Sequence, residues 1–228
     1  RRQHAFGWAL AALFLLAAGF YVDALRGQYP MRWLLAVLGL VMVLIIVAMS
    51  RISMRIVNRS IDEAGEGGAP YLARPPKRNL AILCIVLFTL AEFWHPGGRV
   101  SGWLACAAAA ALCNLMGDWH VGRPLLRRWP FMLYAVYVCM ALGYALVGTA
   151  LLAGGPGASA GRHLLTMGAL GLSIYVVISI AGRAHCGHPS DERPWVVQGA
   201  LLIGAGAMLR AGAAFTHGWM AMKFFDKD

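Results

Sequence analysis

The chain has 228 residues, 60% of them hydrophobic and only 13% charged, whereas an ordinary soluble domain carries roughly 25% charged residues. This excludes a soluble globular domain. The formal charge of +10 fits membrane topology and anionic headgroups rather than nucleic acid, because no basic face with interleaved exposed aromatics is present. Crossing the hydrocarbon takes about 20 apolar residues as helix, since every backbone polar group must be satisfied inside the segment.

Seven apolar runs approach that length: 5–22, 31–49, 80–94, 100–116, 131–153, 164–182 and 195–214. They predict an all-α polytopic transmembrane bundle of about seven spans, forming one domain over 1–228. The third run is short, with Glu92 near its end and Pro96 closing it, so this helix tilts little or is shielded by its neighbours. Four of the five cysteines, Cys84, Cys106, Cys113 and Cys139, lie inside apolar runs, where a thiol packs as a small hydrophobe. With Cys186 the number is odd, so no disulfide framework is implied. The first helix shows no small-residue cleavage site, so a signal peptide is not expected there.

Basic residues stay on the cytoplasmic side of a membrane. With seven spans, the loop set that includes the amino terminus holds Arg1, Arg2, Arg51, Arg55, Arg59, Arg74, Lys77, Arg78, Arg123, Arg127, Arg128, Arg183 and Arg193. The other set holds Arg26, Arg32, Arg99, Arg162, Lys223 and Lys227. The amino terminus is therefore expected in the cytoplasm. The longest connection, 50–79, is expected to be a cytoplasmic loop in two parts. Its first part, RISMRIVNRSI, alternates basic and apolar residues as a short helix at the headgroups does. Its second, DEAGEGGAPYLARPPKR, is rich in Gly and Pro and is expected to be irregular. Small residues at 107–111, with Gly168, Gly171, Gly199, Gly204 and Gly206, mark helix contact faces.

Ionisable side chains at a bilayer point to functional sites. His4, His120, His185 and His188 fall at the predicted cytoplasmic end, and His95, His163 and His217 at the outer end. His163 and His188 bracket the sixth run. At 1.5 Å per residue they lie roughly 37 Å apart on an unbroken helix, so they cannot share one ion. Either there are two sites, one at each face, or only one of the two is a ligand. At the outer end His95 follows Glu92 by three residues, which lets a carboxylate orient the imidazole. With His163 and His217 it makes a candidate tripod for copper or an axial set for haem. At the inner end RAHCGHP places His185, Cys186 and His188 together, with His120 as a further candidate ligand. Sulfur beside imidazole suits copper or zinc.

The stretch HLLTMGALG, then Arg183, Gly187 with His188, and later Leu209 with Arg210, resembles the carboxy-terminal signature of the NnrS family. Trp119 with the Pro-led helix from Pro130 to Gly143, and the segment around Arg55, resemble further family stretches, so the resemblance covers about two thirds of the chain. It implies a carboxy-terminal part of a longer inner-membrane protein, containing haem b and copper and linked to protection against nitric oxide. The family's histidine after the Pro-led turn is here Tyr134, which can serve as an axial haem ligand. Ser53 and Met54 replace the glycines before Arg55, and Asn58 replaces a proline.

On this resemblance His163 and His188 are the leading ligands, Arg183, Arg55 and Arg210 are partners for propionates, and nitric oxide or a similar diatomic is the ligand handled. Its partners would be the bilayer and either a second copy or the amino-terminal half. Two other classes remain open: an ion or proton transporter using Glu92, Arg210 and the histidines, and a non-catalytic subunit of a larger membrane complex.

Overall fold

In the computed structural model, described for residues 2–65, 70–119, 122–155, 157–188 and 193–225 without the side chains of 2–6, 64, 219 and 221–225, the chain is helical with no strand among the described residues. Seven rods follow one another: α1 (Arg2–Leu25), α2 (Met31–Ala64), α3 (Pro75–Trp94), α4 (Arg99–Met116), α5 (Arg128–Ala153), α6 (Gly157–His185) and α7 (Pro194–Phe225). Six are long and apolar enough to cross a bilayer. The seventh, α3, has 20 residues but carries Lys77 and Arg78 at one end and Glu92 at the other. It packs along both α2 and α4. The protein is a multi-pass membrane protein built as an all-α bundle.

Centrally placed α5 touches α2, α4 and α6. Met132, Leu133, Val136, Tyr137, Met140, Tyr144 and Val147 are buried along it, the all-round apolar surface of a helix enclosed by others. By contrast α1 exposes Trp8, Phe14, Leu15, Tyr21 and Leu25. In lipid these side chains are solvated by acyl chains. α1 is fastened to α2 by Asp23, which accepts from Arg32 Nη2 at 2.6 Å and from Trp33 Nε1 at 2.7 Å.

The 50–79 expectation is corrected at both ends. α2 runs without a break to Ala64, and α3 starts at Pro75. RISMRIVNRSI is thus the last third of α2 rather than a separate helix lying on the headgroups. The reason is a stripe of Ser53, Val57, Ser60 and Ile61, buried at i, i+4, i+7 and i+8, which is the core face of a continuing helix. α2 stops at Gly65, whose φ of 66° suits a residue without a Cβ.

Backbones approach closely at a few glycines. A Cβ at Gly148 would lie 2.6 Å from Cys106 Sγ and 2.9 Å from the Gly102 carbonyl of α4, and one at Gly161 would lie 2.5 Å from the Gly143 carbonyl. Among the glycines expected to mark contacts, Gly168 meets Cys139 and Gly199 meets Tyr175, while Gly204 and Gly206 have open space around them. We expect Gly148→Ala to lower the stability of the detergent-solubilised protein by about 1–3 kcal/mol, the range for overpacking a tight contact. Gly204→Ala should shift it by no more than about 0.5 kcal/mol. Parallel thermal melts of the two variants check this.

Candidate functional site

α6 carries the HLLTMGALG stretch, and its backbone is unusual there. Leu164–Gly171 and Ile178–Gly182 are wound as π-helix, a widened turn frequent at functional sites. The HLLTMGALG stretch coincides with the first of them. Thr166 Oγ1 donates to the Arg162 carbonyl at 2.9 Å, so the hydroxyl is spent on its own helix. The rod stays unbroken to His185, which keeps His163 and His188 at opposite ends.

At the far end of α6 the chain stops in a Schellman motif. The His188 N–H donates to the Arg183 carbonyl at 2.9 Å and the Gly187 N–H to that of Ala184 at 3.2 Å. Gly187 has a φ of 70°, which is why a glycine stands there. Arg183, Gly187 and His188 therefore form a helix terminus, with His185, Cys186 and His188 all exposed around it.

Beside this terminus, a cavity of about 390 Å³ opens between α2 and α6. Arg51, Ile52, Arg55 and Ile56 line one wall, and Ile180, Ala181, Ala184 and His185 the other. Arg51 and Arg55 are one turn apart on α2, so their guanidinium groups stand on the same face. The cavity thus combines an apolar interior with one imidazole and two cations. In the sequence Arg51 held only a place among the loop cations; with α2 continuous over Met31–Ala64, it pairs with Arg55 on one face.

The other predicted residues fall elsewhere. Tyr134 is half-buried, its ring 6.0 Å from that of Trp119. The Trp119 ring also meets that of Tyr71, tilted, at 5.2 Å and that of Tyr137, edge to face, at 5.7 Å. Its indole N–H is buried without an acceptor among the described residues. His120, next in the chain, lies outside the described residues. At the opposite end of the bundle, half-buried His163 sits within electrostatic reach of Arg210 on α7. The preceding residue, Arg162, pairs with buried Glu92 at 3.3 Å, and the second Glu92 oxygen accepts from the Gly97 N–H at 3.2 Å. His95 and His217 are exposed. No three His, Cys, Asp or Glu side chains converge as metal ligands among the described residues. Hence neither the outer His95, His163 and His217 tripod nor an inner His185, Cys186 and His188 set is assembled.

A family model described as NnrS protein matches residues 1–226. The chain belongs to the NnrS family. Membership links it broadly to nitric oxide as a membrane protein. The match takes in α1 and α2 as well as the rods behind them, so the relationship extends well past the two thirds carried by the motifs. No curated protein and no solved structure gives a significant match.

For this NnrS chain, the α2–α6 cavity suits haem by the chemistry of its walls: an imidazole for iron, guanidinium groups for carboxylates and aliphatic sides for the ring. Copper finds no three-ligand set among the described residues.

The floor of the basic end is held by Tyr71. Asn58 brackets its backbone, donating Nδ2–H to the Tyr71 carbonyl at 3.1 Å and accepting the Tyr71 N–H at 2.7 Å. Nearby Asp118 is clamped by Lys77 at 2.7 Å. Burial pushes the Tyr71 phenol up to about 12, with the Asp118 charge reinforcing the shift and the Ser53 hydrogen bond opposing it. A raised folded-state value contributes stability that is intact below about pH 10 and lost as pH climbs through about 12, worth at most about 3 kcal/mol. We expect an alkaline loss of stability in that window, followed by phenolate absorbance. Its disappearance in Tyr71→Phe would assign it.

Proposed function

We propose that the protein is a haem-binding member of its family that handles nitric oxide or a related diatomic at the basic end of the bundle, in a bacterial inner membrane with the amino terminus in the cytoplasm. The observation that carries this reading is the α2–α6 cavity, whose lining brings His185 together with Arg51 and Arg55, in a chain matched end to end by the NnrS model. Haem bound there supplies an iron able to ligate nitric oxide.

The protein's own part is binding and orientation. His185 stands at the end of α6, where the Schellman turn fixes the backbone and leaves the ring free to reach the cavity. Arg51 and Arg55 supply positive charge at the cavity mouth, and a carboxylate held by guanidinium there gains charge-assisted hydrogen bonds. Ile52, Ile56 and Ile180 exclude water from the walls. A small uncharged diatomic dissolves in lipid and reaches such a cavity from the bilayer side without crossing a charged barrier.

His163, Tyr134 and His188 remain competing ligands, and they lie apart from this cavity's lining, so substitution separates them. The purified full chain should show a Soret band. His185→Ala should lower haem occupancy by at least about tenfold, the scale for loss of groups that fix a metal centre, while His163→Ala should leave it near wild type. A colourless preparation, or a band that vanishes with His163→Ala and survives His185→Ala, would overturn the assignment.

A further inference from the structure

Far from the haem cavity, toward the end bearing the α3–α4 turn, a small enclosed cavity of about 20 Å³ lies between α2, α3, α5 and α6. Leu35, Leu38, Phe88, Val147 and Leu165 make its wall almost wholly apolar. Polar groups at its edge are spent elsewhere. The Glu92 carboxylate accepts from Arg162 and from the Gly97 N–H, and the Thr89 hydroxyl donates to the Ile85 carbonyl at 2.8 Å. A buried water needs two to four polar partners, whereas enclosed apolar cavities stay dry and take apolar guests. The volume exceeds the roughly 10–15 Å³ that one water occupies, which suits a diatomic and excludes a chain or a ring.

The cavity has a neighbour on the lipid side. A groove of about 380 Å³, walled by Leu15, Leu16, Leu40, Val43 and Val86, opens to the bilayer between α1, α2 and α3. Gly39 and Thr89 line both spaces. Gly39 follows Met31, the first residue of α2, by eight positions, about 12 Å along the helix, so the shared wall stands at hydrocarbon depth. A Cβ at Gly39 would run into Thr89 Oγ1 and lie 2.8 Å from Thr89 Cγ2. The partition between groove and cavity is therefore one threonine side chain seated on bare backbone, and it opens by rotation about a single bond.

The α6 wall carries an independent mark. Leu165 belongs to the π-helical stretch Leu164–Gly171, a widened turn frequent at functional sites. We infer that this cavity docks a small uncharged diatomic gas drawn from the lipid, which enters along the groove and past Thr89. Such a gas dissolves in the acyl chains that bathe the groove, while ions and polar molecules are held back by the same apolar walls. The inference rests on the proposed function only for the class of gas, and it needs no haem.

Dioxygen, a paramagnetic diatomic of similar size to nitric oxide, serves as the probe. The full chain, methyl-labelled at Ile, Leu and Val, is placed in lipid nanodiscs, and methyl relaxation is recorded with and without dissolved oxygen. Methyl groups of Leu35, Leu38, Val147 and Leu165 should relax several-fold faster under oxygen than those of Ile46 and Val136, which are fully buried outside the cavity lining. Leu35→Phe, which puts a ring into the space, should abolish the excess at the other three residues. Val147→Ile adds one methylene to the same wall and decides the matter should Leu35→Phe fail to fold. Relaxation no faster at the cavity than at Ile46 and Val136, or an excess that survives in the folded, filled variants, overturns the proposal. A nuclear Overhauser effect from water to the cavity methyls also overturns it, because it marks a wet cavity. The Soret band is read in the same samples: gas docking in a colourless protein sustains this inference and sinks only the haem reading.

Discussion

Everything in this bundle is arranged around α5, and α5 is held by contacts between backbones. Lipid tails are as apolar as leucine, so helices in a membrane gain little from hiding apolar surface and associate through close packing. Gly148 lets α5 lie against Gly102 and Cys106 of α4, and Gly143 lets it meet Gly161 of α6. With two flanks fixed in this way, α2 comes to rest on a third side of α5 and against the π-helical stretch of α6. The cavity between Arg55 and His185 follows from that placement. It opens where residues 51–56 of α2 face residues 180–185 of α6.

The two ends of the bundle use charge differently. At the end bearing the α1–α2 and α3–α4 turns, buried carboxylates are consumed by the fold. Asp23 ties α1 to α2, and Glu92 ties the α3–α4 turn to α6. At the other end cations outnumber their partners. Asp118 takes Lys77, and Glu63 takes Arg59 and Arg127, yet Arg51, Arg55 and Arg128 are left facing cavities.

The helices were legible because length and apolarity alone decide what can cross a bilayer. The end of α2 was not legible, although Ser53, Val57, Ser60 and Ile61 stand at the i, i+4, i+7 and i+8 spacing of a buried face. Basic residues interleaved with that stripe give an equally good amphipathic pattern for a surface helix, and only Tyr71 and Trp119, arriving from elsewhere in the chain, settle the choice. The histidines show the opposite case. The described histidines do fall at one end or the other of their rods, but which imidazole faces a cavity depends on where a neighbouring rod lies. His163 ended beside Arg210, whereas His185 ended opposite Arg55. Arg51 was hidden by the same limit, since its significance rests on α2 continuing past Met49.

The residues that carried the family resemblance turn out to shape α6 before they do any chemistry. Leu164 through Gly171 is the span that widens into π-helix, and each extra residue in such a turn rotates all that follows around the rod. Arg183, Gly187 and His188 terminate the same rod in a fixed capped turn. Between them these two devices determine the angle at which Ala184 and His185 leave the helix, and so whether an imidazole stands over Arg55 or points into lipid. A motif read only for ligands therefore misses half its content: in a helix whose ends are set by local winding and capping, the residues that aim a side chain can be as specific as the side chain they aim.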